Sequence, residues 1–182
     1  MIGTKQNRDI LKNYWIYFII YSFIGWIYET ALDWAYGWGF NNRGYLFGPW
    51  LPIYGTGSLV FLFTAYRLIR NKSWKKRLLL LPLVFLLCML IATSLELAAS
   101  YILEAMTGSW DWQTYTDYSI NFQGRIALSP SLRFGLGGVV FLYIGQPLLE
   151  LFTSRAPARL QQGFFLLTAL LFAGDLVFLL VR

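Results

Sequence analysis

The residues of this chain that could bind or transform a ligand are a few charged side chains set in apolar sequence. Arg43 lies in the turn NNRGYLFGP and Arg125 in the turn NFQGRIALSP, and each turn leads through a proline into an apolar run. Proline is well tolerated at the start of a helix. A guanidinium beside the free N–H groups of a helix N-terminus favours a phosphate or a carboxylate. The two turns therefore predict an anion-binding site.

Several carboxylates lie inside the apolar runs themselves. Glu29 and Asp33 are four residues apart, and Glu96 and Glu104 are two helical turns apart, so each pair shares one helix face. Asp175 lies in the last apolar run. Ionisable side chains inside a membrane are costly, and they usually face a partner or a polar cavity. We expect these carboxylates to hold the cationic part of a solute, a coupling ion or a proton.

The predicted binding set adds polar and aromatic neighbours to these groups. A plainer interpretation is also open, in which the arginines only neutralise carboxylates, the asparagines form turns and the tryptophan anchors at the membrane interface. The predicted substrate-binding residues are Arg43, Arg125, Glu29, Glu96, Asn42, Asn121, Trp26, Tyr54, Asp175 and Glu104.

Several kinds of chemistry are excluded by residues that the sequence lacks. There is no histidine, which removes the commonest general base and metal ligand and rules out a Ser-His-Asp triad. No P-loop motif is present, so the chain does not hydrolyse ATP by itself. The single cysteine, Cys88, cannot form an intramolecular disulfide. We therefore expect no metal site and no cofactor.

The elements that must position these residues are membrane helices. Of the 182 residues, 57% are hydrophobic and 13% are charged, with a mean hydropathy of +0.51. A soluble domain of this size could not bury so much apolar surface. The net charge of +6 lies in short loops, where it indicates membrane topology rather than nucleic-acid binding.

Five apolar runs are each long enough to cross about 30 Å of hydrocarbon as a helix, which takes ~20 residues. We therefore predict an all-α integral membrane protein, a five-helix transmembrane bundle forming a single domain over residues 1–182. The predicted helices span residues 14–38, 47–68, 78–105, 131–152 and 163–181.

The basic residues predict how this bundle lies in the membrane. Eleven of the 15 lysines and arginines fall in the N-terminus and in the second and fourth loops. Since basic loops stay inside, the N-terminus is predicted inside and the C-terminus outside. Both arginine turns then lie on the outer side. The long outer loop between helices three and four, residues 106–130, is predicted to cap an outer polar pocket.

Four segments of the chain resemble the CmpB-like family of ABC-transporter type IV membrane proteins. The resemblance covers about the first three-quarters of the chain. It implies a multi-helix membrane fold and a role as a permease component, with an ATPase as a separate partner. The segments are FIGWIYE, NRGYLFGPWLPIYG, ELAASYILE and WDWQTYTDYSINFQGRIAL.

Three functions fit this pattern. The leading hypothesis is a membrane transporter or permease component that binds a small polar or charged solute in the outer pocket. The second is a membrane enzyme acting on a lipid or lipid-linked phosphate at the outer leaflet, and the third is a structural subunit of a membrane complex. The expected location is a cell membrane, the bacterial plasma membrane, with several crossings. Expected partners are the bilayer, a charged solute or lipid headgroup, and a second copy or an ATPase, but no nucleic acid.

Overall fold

The computed structural model describes residues 2–44, 46–109 and 114–181, with side chains from residue 10 onward. Apolar helices account for most of the described chain. The helices, in chain order, are α1 (Ile2–Ala35), α2 (Pro52–Phe63), α3 (Ala65–Ile69), α4 (Trp74–Thr107), α5 (Leu128–Val140), α6 (Gln146–Arg155) and α7 (Ala158–Val181). A short antiparallel ribbon of β1 (Asn121–Phe122) and β2 (Ile126–Ala127) precedes α5, and a π-helical turn, Phe141–Gly145, joins α5 to α6.

Four helices in the described residues are long and apolar enough to cross a membrane. They match the first, third, fourth and fifth predicted runs, and the prediction of an all-α membrane protein is confirmed to that extent. A two-stranded ribbon, absent from the prediction, is the exception to the all-helical description. The four helices are Ile10–Ala35, Trp74–Thr107, Leu128–Arg155 and Ala158–Val181.

The second predicted run is divided between α2 and α3. Thr64 separates them, with φ −113° and ψ −88°, and its hydroxyl donates to the carbonyl of Val60 at 2.6 Å. With 12 residues, α2 is about 18 Å long, which is shorter than the hydrocarbon core. Helix α2 also begins at Pro52 rather than at Gly48-Pro49 as predicted, because the amide of Leu51 donates to the carbonyl of Ser22 at 3.0 Å and that of Trp50 to the carbonyl of Gly48 at 2.8 Å, which is not a helical pattern. The count of five crossings stays a prediction.

The described chain divides into two compact units, and the first contains Met1–Leu59 and Leu149–Arg182. Within it, Trp15 of α1 packs edge-on against Phe172 of α7, and its indole N–H donates to the Thr168 hydroxyl at 3.0 Å. The start of α2 packs very closely on α1. A Cβ added at Gly55 would lie 2.3 Å from the Ser22 hydroxyl oxygen. Only glycine allows these two helices to approach so closely.

The second unit contains Val60–Leu148, and its core is the packing of α4 against α5. Gly138 lies directly on Cys88, since an added Cβ would come within 2.4 Å of the cysteine Cβ. The Thr93 hydroxyl donates to Ser131 at 2.8 Å across the same pair of helices. Small residues and an interhelical hydrogen bond are the usual means of joining helices in a membrane.

The loop between α4 and α5 folds back on itself at the ribbon. Gln123 and Gly124 turn the chain with positive φ of 54° and 66°, and the amide of Tyr115 donates to the carbonyl of Gly124 at 2.7 Å. The Tyr115 side chain is buried. Residues 110–113, which belong to the predicted cap, lie outside the described residues, so the capping role stays a prediction.

Candidate functional site

In the first unit, an ion pair joins the end of α1 to the loop that follows it. Asp33 lies in the last turn of α1, and its side chain is only 1% exposed. Arg43 approaches it side-on: Nε donates to Oδ2 at 2.5 Å, and Nη2 donates to Oδ1. Hydrogen bonding to Asp33 raises the pKa of Arg43 above its ordinary value, so this guanidinium stays charged. Such bidentate contact also fixes its orientation.

The edge of the Arg43 guanidinium that faces away from Asp33 is available to bind a ligand. The side chain is 34% exposed, and Nη1 donates to no acceptor among the residues that the structure describes. An arginine held in this way is a rigid cation with one donor edge left over. That edge can bind a carboxylate or a phosphate without first losing a flexible conformation.

Asn42 connects α1 to the loop that carries Arg43. Its side-chain oxygen accepts the indole N–H of Trp26 at 2.7 Å, and its Nδ2 donates to the carbonyl of Phe47 at 3.1 Å. Trp26 in turn stacks on Phe23. These bonds account for Asn42 as a loop-forming residue, as the plainer interpretation expects, and Trp26 helps to hold that asparagine in place. Their predicted contact with a solute stays a prediction.

Glu29 and Tyr54 meet where α2 begins. The Tyr54 hydroxyl donates to the Glu29 carboxylate, and the tyrosine side chain packs directly on Gly25, where an added Cβ would be 2.3 Å from the ring. Both side chains are partly buried. A carboxylate and a phenol are thus held together within the unit that also contains Arg43.

Asp175 holds the loop before α2 from the side of α7. Its carboxylate accepts the backbone amides of Phe47 at 2.8 Å and Gly48 at 2.7 Å, and the indole N–H of Trp50 at 2.8 Å. The amides predicted to bind an external anion at a helix start therefore bind an internal carboxylate. The predicted role of Asp175 in binding a cation stays a prediction.

The second unit has its own ion pair, between the ribbon and α4. Arg125 is buried, with a side chain 9% exposed, and its Nη2 donates to Glu104, which is 44% exposed. The Nη1 atom donates to the Ser100 hydroxyl at 3.3 Å. The guanidinium carbon also lies 4.2 Å from the centre of the Tyr101 ring, a cation–π contact. Arg125 thus contacts three side chains of α4.

The remaining predicted residues of this unit form its internal bonds. Glu96 is buried in α4 and accepts the Tyr115 hydroxyl at 2.7 Å. The Asn121 side chain accepts the amide of Gly124 at 2.8 Å and donates to the carbonyl of Tyr118 at 2.7 Å. Asn121 is therefore a turn-forming residue, and Glu96 is the anchor for the loop tyrosine.

The ten predicted binding residues fall into two groups, one in each unit. The first unit contains Trp26, Glu29, Asn42, Arg43, Tyr54 and Asp175, and the second contains Glu96, Glu104, Asn121 and Arg125. Their convergence on one outer pocket stays a prediction. The predicted set lacks Asp33 as the partner of Arg43, although its position four residues after Glu29 could have indicated it. It also lacks Tyr101 and Tyr115, for which the sequence offers no signal beyond an aromatic-rich region.

Among residues 2–44, 46–109 and 114–181, no cluster of three or more His, Cys, Asp or Glu side chains is placed to hold a metal ion. The carboxylates described above are each occupied by an arginine, a tyrosine or backbone amides. Their chemistry in these positions is hydrogen bonding and charge pairing.

Comparison with known proteins identifies the family of this chain. The family model ABC_trans_CmpB, described as "Putative ABC-transporter type IV", matches residues 16–180. No curated protein and no solved structure matches the chain. The match extends past the four resembling segments into α7, and it confirms the predicted resemblance. The chain belongs to the ABC_trans_CmpB family.

Proposed function

We propose that this multi-pass membrane protein is a permease component that binds a small solute carrying a carboxylate or a phosphate. The description of its family supports a place in transport. The chain has no P-loop, so energy from ATP would come from a separate ATPase subunit. We propose a cell membrane as its location.

The observation that carries this proposal is the asymmetry of the Asp33–Arg43 pair. A buried carboxylate fixes the arginine through two donors, while a third of the arginine side chain stays exposed. Ion pairs that serve only to join helices have no need of a free donor edge. A preorganised guanidinium loses little entropy when it binds an oxyanion, which favours this group as the anion ligand.

The cationic part of a zwitterionic solute would lie near Glu29. This carboxylate is partly buried, interacts electrostatically with Arg43 and is oriented by the Tyr54 hydroxyl. We assign Arg125 a different role, because its donors are used within its own unit by Ser100 and Glu104. This assignment revises the expectation that both arginines bind the solute.

For topology we propose five crossings, with the N-terminus inside and the C-terminus outside. The second crossing would be the broken helix formed by α2 and α3. Pro52–Ile69 spans 18 residues, or about 27 Å at helical rise, which approaches the thickness of the hydrocarbon core. Helices interrupted within the membrane are common in transporters, where they line the path of the solute.

The test is a ligand screen by thermal unfolding of the purified full chain in detergent. The panel contains inorganic phosphate, dicarboxylates, amino acids and lipid phosphates. A true ligand at ~100-fold above its Kd stabilises the protein by about 3 kcal/mol. We expect at least one anion to raise the Tm of the wild type.

The decisive variant is the double substitution Asp33→Asn/Arg43→Gln, which removes both partners and leaves no buried charge without a counter-ion. We expect it to fold and to lose the ligand-dependent rise in Tm. The matched control, Arg125→Lys, should keep that rise. An equal rise in the double variant would exclude Arg43 as the anion ligand.

A structural subunit is the second candidate, and Arg125 and Asp175 favour it. Each of these groups is occupied by internal partners, as expected for charges that only hold elements together. This function predicts that no member of the panel stabilises the wild type, although variants at Arg125 and Asp175 unfold at lower temperature. The same set of measurements therefore separates the two candidates.

A further inference from the structure

The segment of residues 70–77 carries concentrated positive charge that the proposed solute site does not use. Five of its eight residues are basic and none is acidic. The side chains of Lys72, Lys75 and Lys76 are exposed. So high a density of like charge is unfavourable on its own, and it favours an anionic partner.

The N-terminus of helix α4 strengthens the preference of this segment for an anionic partner. It begins at Trp74, so Lys75, Lys76 and Arg77 lie at its positive end, and no acidic side chain is present in its first turn. Ser73 at the N-cap makes no side-chain capping bond. Cations at a helix N-terminus oppose the helix dipole, whereas anions there are stabilised. An external anion would relieve both kinds of repulsion.

Arg77 is held in position beside these lysines. Its guanidinium carbon lies 5.1 Å from the centre of the Tyr143 ring, and the Tyr143 hydroxyl donates to the Arg77 backbone carbonyl at 2.7 Å. Its buried Nε and Nη2 atoms find no hydrogen-bond acceptor among the described residues. The positive charge of Arg77 is thus fixed at the start of α4 without being neutralised by its surroundings.

The apolar neighbours indicate what kind of anion binds here. Trp74 is 67% exposed and Leu79 is 81% exposed, directly beside the lysines, and the membrane-length helix begins at Trp74 itself. Tryptophan favours the headgroup region of a bilayer, with leucine deeper in the hydrocarbon. The lysines therefore lie at the level of the lipid phosphates. An acidic protein would be a worse match, because the exposed apolar residues would then stay in contact with water.

From these observations we infer that residues 72–77 form a binding surface for anionic phospholipid headgroups. The lysines and Arg77 supply the positive charge, and Trp74 sets the depth of the surface in the membrane. Basic segments next to a membrane helix attract anionic lipids by an amount that corresponds to about a fivefold change in affinity for each charge. This surface shares no residue with the proposed solute site, and neither proposal depends on the other.

The test measures lipid affinity directly. The full chain in detergent is titrated with fluorescent phosphatidylglycerol and, separately, with fluorescent phosphatidylcholine. We expect the wild type to prefer phosphatidylglycerol, and the variant Lys75→Gln/Lys76→Gln to bind it ~25-fold more weakly. The control Arg155→Gln/Arg159→Gln removes the same charge elsewhere and should stay within about twofold of the wild type.

A second readout excludes simple misfolding of the variant. Removing cations from the positive end of α4 should leave the Tm in phosphatidylcholine nanodiscs equal to or above that of the wild type, whereas the rise in Tm with added phosphatidylglycerol should be lost. Equal weakening in both double variants would overturn the inference. Absence of any lipid preference in the wild type would also overturn it and point to an acidic protein partner. Displacement of the lipid by soluble glycerol 3-phosphate would indicate a phosphate site instead of a lipid surface.

Discussion

The two units each hold an arginine–carboxylate pair, but they bury opposite partners. In the first unit the carboxylate of Asp33 is buried and Arg43 is a third exposed. In the second unit Arg125 is buried and Glu104 is 44% exposed. The partner left at the surface is the one that can meet a ligand. Two pairs that look alike in sequence therefore differ in what they can bind.

The difference in exposure between Arg43 and Arg125 arises from the backbone segment that carries each of them. Arg43 lies ten residues after Asp33 on a loop that returns across the end of α1, so its side chain reaches the carboxylate from outside. Arg125 follows the tight turn between β1 and β2, which directs it onto the surface of α4 beneath Tyr101 and Ser100. The loop after α1 therefore leaves Arg43 partly exposed, whereas the ribbon places Arg125 in a buried position.

The largest expected effect is that of Arg43→Gln in the first unit. This change leaves Asp33 charged and buried without a counter-ion, which lowers the free energy of unfolding by about 3–5 kcal/mol. Thermal and denaturant unfolding in detergent measure it. Asp33→Asn should cost less, because the orphaned arginine is partly exposed to solvent, and Asp33→Asn/Arg43→Gln should recover most of the loss. If both single variants were equally unstable, the asymmetry proposed for this pair would be wrong.

An intermediate effect is expected from Gly124→Ala, in the turn that directly precedes Arg125. Gly124 has φ +66°, and a Cβ there would lie 2.8 Å from the Thr116 methyl group. Strain and collision together should lower the free energy of unfolding by ~2–3 kcal/mol. Gly108→Ala is the control, because it has φ +72° with nothing within 4 Å of its added Cβ. It should cost ~1 kcal/mol, and a loss equal to that of Gly124→Ala would rule out the collision.

The smallest effect should be that of Glu104→Gln in the second unit. Glutamine keeps an oxygen that accepts from Arg125, and Ser100 and Tyr101 continue to contact the guanidinium. Arg125 then stays buried without a counter-ion, but the retained acceptor and the Tyr101 ring offset much of that cost, so we expect a decrease of about 1–2 kcal/mol. Unfolding experiments run beside Arg43→Gln provide the comparison. A loss as large as that of Arg43→Gln would show that the two pairs are energetically alike.

Sequence alone was sufficient for the features that depend on length and polarity. Apolar runs near residues 14–38, 78–105, 131–152 and 163–181 predicted the four membrane-length helices, and the local motifs indicated the family. Each of these helices begins three to five residues before the predicted start, and the first ends at Ala35 rather than at residue 38. Polar residues such as Lys75 and Lys76 are good helix formers, although they contribute nothing to an apolar pattern.

Features that depend on contacts between residues far apart in the chain could not be predicted from the sequence. The amide of Leu51 donates to the carbonyl of Ser22 on α1, and that of Phe47 to Asp175, 128 residues away, so the helix predicted at Gly48-Pro49 begins later, at Pro52. No glycine or proline lies between Ser58 and Ile69, so the local sequence gives no sign of the break at Thr64. The sequence also could not identify which carboxylate pairs with each arginine, because several carboxylates were available to both. Such choices are made by tertiary packing rather than by local preference.

The carboxylate of Asp175 has a mechanical consequence. It gathers three donors from the loop of residues 47–50, and that loop is joined within a few residues to Arg43. A displacement of α7 would therefore pull on the loop at a single point, with a force transmitted through three short bonds. We therefore expect any movement of α7 to shift the segment that carries the exposed guanidinium.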